Sequence, residues 1–336
     1  MKSVAKKAGI LVLLAIGVGC ADAELENPTE AETPVGDATI IVDPPNSMDT
    51  MERPDEIDPV DDCDDTLRLS NVETGHLAPS SRIVSMRVPN TPQDALDMDC
   101  IAIPGSNGGL GLATLLHTLG VNLDDIVKPN ADGQIASIIL GHISGWQPGE
   151  TANETEGLNL HMYNGHQIDP VTFRIARDSD ESAPVMFPAS VSCQELETRG
   201  RNLTFDLPVE GGGVLPFVLE HVQVSGQVSI SGEGFSLNKG TIIGYISETA
   251  IVKIVQDIQD GCREHPEEPT CADLSFLLSN DAESITSAIV LPFLHGLDAQ
   301  LIPQNTSVQS CTGTECNAMS ICIRFESEPV TVLQAG

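Results

Sequence analysis

From Gly133 onward, apolar and polar positions alternate with a period of two. "LNLHMY" sets Leu158, Leu160 and Met162 against Asn159, His161 and Tyr163, and "VTFRIA" and "LTFDL" alternate likewise. The clearest run is "HVQVSGQVSI", with Val222, Val224, Val228 and Ile230 on one side and Gln223, Ser225, Gln227 and Ser229 on the other. Successive side chains on a strand point to opposite faces, so each run predicts a strand with one buried side. "QIASIILGHISGW" is apolar and β-branched and predicts a buried strand. "GFSLNKGTIIGYIS" predicts a hairpin turning at Asn238-Lys239-Gly240. "SRIVSMRV" reads as an early strand, and "SICIRFE" and "PVTVL" as two late ones.

The period changes to helical in a few places. Leu112, Leu115, Leu116 and Leu119 fall on one face, with Gly120 where a left-handed cap belongs. "NLDDIVK" predicts a short helix with Asn122 as N-cap, acids in its first turn and Pro129 past its end. "SETAIVKIVQDI" predicts a helix capped by Ser247, whose Ile251, Ile254, Val255 and Ile258 form a core-facing stripe. Ala282 to Leu294 predicts another short helical element, interrupted by Pro292. The expected fold is mainly β: a disulfide-braced β-sandwich or β-roll with a few inserted short helices, with α+β as the alternative. Residues 66–336 are expected to form one domain, or two subdomains with a boundary near 195–200. "IILGHIS" echoes "TIIGYIS", but seven residues rich in Ile and Gly coincide by chance.

Upstream the pattern breaks down. Lys2, Lys6 and Lys7 precede the short apolar run Gly9–Gly19, which falls below the ~20 residues a spanning helix needs and reads as a secretory signal. Two cleavage sites compete. "GVGC" resembles a lipobox ending at Cys20, although Gly17 stands where Leu is commoner. "ADA" would instead cut after Ala23 and release a secreted or periplasmic protein. Residues 1–20 are therefore expected to be a lipoprotein signal, with lipidation at Cys20. Residues 21–65 carry sixteen Asp or Glu against Arg53 alone, with six prolines scattered among them. Such a self-repelling segment has little to bury and is expected to serve as a disordered tether. Ala21 lacks the acidic character associated with inner-membrane retention, so the outer membrane is the expected address.

The formal net charge is -33. Nucleic-acid partners are excluded by that balance, because phosphate binding depends on clustered Lys and Arg. Docking on anionic lipid is disfavoured for the same reason, leaving the acyl group as the expected membrane contact. Nine cysteines are present. With Cys20 assigned to the lipid, Cys63, Cys100, Cys193, Cys262, Cys271, Cys311, Cys316 and Cys322 form an even set, expected as disulfides in an exported chain. Cys262 with Cys271 is a natural local pair, and Cys311 pairs with Cys316 or one of the two with Cys322. No C-x2-C knuckle suggests zinc.

Candidate chemistry is sparse. If Asn164-Gly165 turns a hairpin in "HMYNGHQ", then His161, Tyr163 and His166 share one face and could hold a divalent metal. That arrangement would support a metal-dependent hydrolase on His161 and His166. "KPNADGQ" has part of a calcium-loop order but lacks the first and twelfth ligands, so it reads as an Asp-Gly turn. "DDCDD" and "DALDMD" suggest loose Ca2+ binding and, through it, a calcium-dependent adhesion or surface module. "GSNGGLGLA" is Gly-rich before a helix but lacks the Lys-Ser/Thr ending of a phosphate loop. Ser144 in "GHISGW" misses the nucleophile-elbow spacing by one residue and reads as structural.

"GLGLATLLHTLGVNLDDIV", "GQIASIILGHISGW" and "GTIIGYISETAIVKIV" before Cys262 and Cys271 together resemble uncharacterised Cys-rich envelope lipoproteins of large-genome Gram-negative bacteria. The resemblance is one of layout and spans most of Cys100 to Val332. It implies an envelope lipoprotein and brings no catalytic residues. The function expected is a non-enzymatic binding or surface-structural module with no resident cofactor and an unidentified protein or small-molecule partner.

Overall fold

A computed structural model describes residues 67–69, 73–118, 121–151, 157–175, 185–208, 214–267, 271, 275–302, 307–311 and 313–333. All belong to the compact unit Asp61–Gly336. The signal and tether assigned to residues 1–65, including Cys20, Cys63 and "DDCDD", lie outside the described residues, as do Leu119 and Gly120.

The protein is mainly β, as its alternation predicts. In chain order the strands are β1 (His76–Leu77), β2 (Ser80–Arg87), β3 (Ile139–Ser144), β4 (Asn159–Gln167), β5 (Thr172–Ile175), β6 (Val185–Ser192) and β7 (Glu195–Thr198). They continue with β8 (Arg201–Pro208), β9 (Val214–Ser231), β10 (Gly234–Ser247), β11 (Ala299–Leu301), β12 (Val308–Ser310), β13 (Ala318–Pro329) and β14 (Thr331–Leu333). Helices α1 (Pro92–Asp97), α2 (Leu110–Thr118), α3 (Leu123–Val127) and α4 (Glu248–Glu264) are inserted between them.

The pairings close on themselves. β2 pairs with β3, β3 with β4, β4 with β6, β6 with β7, β7 with β9, β9 with β10, β10 with β13, and β13 with β2, each antiparallel. The result is a roll whose eight strands form a ring. A ring of that size has an interior just wide enough to be filled by side chains. Phe187, Phe235, Leu160, Ile143, Leu196 and Ile242 fill it, each at most 2% exposed. Val222, Val224 and Val228 join them, as the alternation of "HVQVSGQVSI" requires.

Beside a small cluster of their own, where Val255 of α4 packs with Leu277 and Ile285, the helices extend this core. Leu112 and Leu116 of α2 and Ile251 and Ile254 of α4 belong to the same apolar cluster. Asn122 caps α3 by accepting from the Asp124 N–H at 3.1 Å. Ser247 occupies the N-cap of α4 with extended dihedrals, but its hydroxyl makes no capping bond. "DALDMD" contributes α1, capped by Thr91, whose side chain accepts from the Asp94 N–H at 3.0 Å.

The hairpin expected at Asn238-Lys239-Gly240 is not one. β10 runs straight through it, and the chain reverses instead at Gly232-Glu233, where Gly232 takes φ 62°. Asn238 to Thr241 is a register shift in the β9–β10 ladder, with Lys239 at φ 51°. Turn-forming residues supply the same left-handed step to a bulge, which bends and twists a strand and helps an eight-strand ring close.

Three disulfides link described residues. Cys262–Cys271 is the expected local pair and Cys311–Cys316 closes the small loop, while Cys100–Cys322 joins residues 222 apart in sequence. Cys193 is disulfide-bonded as well. Outside the ring, β1, β14 and β5 lie over β3, where Leu140, Phe173, Val330 and Val332 form a second small core. Arg82 is buried beside it, bonded to Glu328 at 2.6 Å and placed over the Phe173 ring at 5.3 Å.

Candidate functional site

The outer faces of β3 and β4 bring together four chemically versatile side chains: His142, Ser144, His161 and Tyr163. β3 turns Ile139 and Ile143 into the core, so His142 and Ser144 face outward. β4 buries Leu160 and Met162, so His161 and Tyr163 face outward too. The β3–β4 register sets His142 directly opposite His161. Their ring centroids are 5.8 Å apart with planes inclined by 29°, and Tyr163 stacks beside His161 at 6.0 Å and 8°.

Hydrogen bonds hold both imidazoles. His142 Nδ1 lies 3.2 Å from the carbonyl oxygen of Pro79, which can only accept, so Nδ1 carries the proton and Nε2 keeps its lone pair. His161 Nε2 lies 2.8 Å from Ser144 Oγ. Burial disfavours the imidazolium of His142 and pushes its pKa down to about 4, with the nearby His161 adding to the effect against the bond to Pro79. Burial also lowers the pKa of His161 and raises that of Tyr163. All three rings are therefore neutral at pH 7.

This differs from the arrangement expected of "HMYNGHQ". Asn164-Gly165 does not turn, because β4 continues through Gln167. His161 and His166, five positions apart on one strand, point to opposite faces, and His166 pairs with Arg174 of β5. Gly165 is needed for packing: a Cβ there would meet Leu140 Cδ1 at 2.6 Å and Ile138 Cγ2 at 2.9 Å. Sequence reasoning missed His142 as a site residue, concealed in an apolar run, and set Ser144 aside as structural, although its hydroxyl engages His161. The signal that could have found them is the shared outward parity of positions 142, 144, 161 and 163.

The remaining candidates resolve into ordinary structure. Asn130 Oδ1 accepts from the N–H groups of Asp132 and Gln134, both at 2.9 Å, and Gly133 takes φ 78°, which makes "KPNADGQ" an Asx-type turn. The Gly-rich loop before α2 spends its N–H groups internally. Asn107 N–H donates to the Asp298 carboxylate at 2.6 Å and Gly109 N–H to Asn107 Oδ1 at 3.1 Å. That carboxylate stands where a phosphate loop would need an anion to be welcome. Among the described residues, no group of three or more His, Cys, Asp or Glu comes together, and no helix is long and apolar enough to cross a membrane.

His76, which has no informative neighbour in sequence, is bonded to Glu233 across the fold, with Nδ1 2.7 Å from Oε2. Comparisons with protein families, with curated proteins and with solved structures find no match to this chain.

Proposed function

We propose that this is an exported envelope protein, held by a lipid on Cys20 and presenting a non-enzymatic domain for binding or surface structure. The supporting observation is the disulfide bonding of every described cysteine: Cys100, Cys193, Cys262, Cys271, Cys311, Cys316 and Cys322. Disulfides persist in oxidising compartments and are rare where thiols are kept reduced. The charged n-region and apolar run of residues 2–19 supply the matching export signal, and the acidic segment 21–65 acts as a spacer between acyl group and domain.

The packed ring interior favours binding over its outer surface rather than inside a cup. The membrane it occupies is the outer one. Cys20→Ala tests the reading in the native host: the protein should leave the membrane pellet and appear in the soluble fraction, with its disulfides intact. Retention in the pellet would remove the lipid anchor from the proposal. Full-length protein in cytosol with free thiols would remove export as well.

A further inference from the structure

We propose that His142 and His161 together bind one divalent transition-metal ion, such as Zn2+, Cu2+ or Ni2+, on the outer wall of the ring. The ion would sit between His142 Nε2 and His161 Nδ1. Each imidazole has one nitrogen engaged with oxygen, at Pro79 O and at Ser144 Oγ; the carbonyl leaves His142 Nε2 as an acceptor, and His161 Nδ1 becomes one when Nε2 carries the proton. A ligating histidine is commonly built this way, with its second nitrogen donating to an oxygen that fixes the tautomer and ring plane. In this arrangement His161 Nε2–H donates to Ser144.

The spacing suits a shared ion. Two imidazoles on one tetrahedral ion, each bonded at about 2.0–2.1 Å, hold their ring centres about 5 Å apart. The rings now lie stacked 5.8 Å apart with planes inclined by 29°, so binding turns them out of that stack until the two nitrogens face a common ion. The strands need not move. β3 is paired with β2 and β4 on its two edges, and β4 with β3 and β6, which fixes both Cα positions. Tyr163 stacks with the His161 ring at 6.0 Å.

Imidazole pairs select borderline metals over Ca2+ or Mg2+, which prefer oxygen. Because no group of three or more His, Cys, Asp or Glu forms here among the described residues, water or a donor from a bound partner completes the shell. The proposal stands independently of the export reading.

Chelator-treated full-length protein, titrated with ZnCl2 and CuSO4 and followed by calorimetry and imidazole NMR, provides the test. One saturable equivalent is expected, with the ring signals of His142 and His161 shifting together and those of His166 unmoved. Ser144→Ala should weaken the affinity about 10- to 100-fold, as loss of an outer-shell partner does. His161→Ala should abolish binding and His166→Ala leave it unchanged. Wild-type protein whose His142 and His161 signals ignore both metals would overturn the proposal without any variant having to fold. So would undiminished affinity in folded His161→Ala.

Discussion

Gly226 of β9 and Gly240 of β10 bring their backbones into contact: a Cβ on Gly226 would lie 2.9 Å from the Gly240 Cα. On the other side of Gly240, the Phe325 ring covers the space a side chain would take, 2.6 Å from a Cβ built there. Backbone on one side and a buried aromatic on the other cannot both yield. Gly226→Ala should therefore destabilise the protein by about 1–3 kcal/mol, as overpacking does. Gly261, near the end of α4, has nothing within 4 Å of its missing Cβ. There Ala should raise stability by about 0.5–1 kcal/mol. Urea unfolding of the two variants distinguishes these opposite signs.

Cys100–Cys322 ties the segment after α1 to β13, and both cysteines are buried, at 2% and 0% exposure. A bond closing so long a loop constrains the unfolded chain strongly. The double change Cys100→Ala, Cys322→Ala is expected to cost about 2–5 kcal/mol, read from the denaturation midpoint under non-reducing conditions. Removing Cys311–Cys316, which spans 5 residues, should cost less.

Asp124 anchors α3 to β2. Burial pushes its carboxyl pKa up, but bonds from Lys128, Ser85 Oγ and the Met86 N–H outweigh that and hold it below the ordinary carboxylate value. A lowered folded pKa means that the unfolded chain binds the proton more readily. Its stabilising contribution is complete above the unfolded pKa of about 3.9 and disappears as pH falls through the folded value. Asp124→Ala should lose about 1–3 kcal/mol at pH 7, a gap that narrows on acidification through this window. Paired urea midpoints at neutral and acid pH measure it.

Asp298 gathers three donors: the Asn107 N–H, the Ser320 N–H and the Ser320 hydroxyl, each at 2.6 Å. Truncation would leave both N–H groups short of a partner, whereas the Ser320 hydroxyl keeps Asn107 Oδ1 at 3.3 Å. Asp298→Ala is expected to destabilise by about 2–4 kcal/mol, with Asp298→Asn retaining part of the loss because its amide oxygen still accepts. Thermal unfolding of both variants supplies the comparison.

Much of this architecture is written locally. The valines of β9 and the isoleucines of α4 announce which face is buried, because strand and helix periods differ. What the chain conceals depends on contacts between distant segments. Asn238-Lys239-Gly240 carries the chemistry of a turn, and only the neighbouring strands decide that it becomes a bulge. Gly165 looks like a hairpin glycine, yet Leu140 on the next strand is the reason for it. The proximity of His142 and His161 follows from one register between β3 and β4, which neither stretch states alone.

The seam of the ring joins β2, at residues 80–87, to β13, at residues 318–329. A chain emerging N-terminus first must carry β2 with an unsatisfied edge through the appearance of nearly every other strand. β10 waits on the same latecomer, since β13 lies between the two everywhere but at the Gly234–Ser80 bridge. Such a delay between the first strand and its mate slows assembly and leaves sticky borders open to strangers. Truncation by twenty residues would thus remove the closing stave of the cask and leave two raw margins rather than a shortened tail.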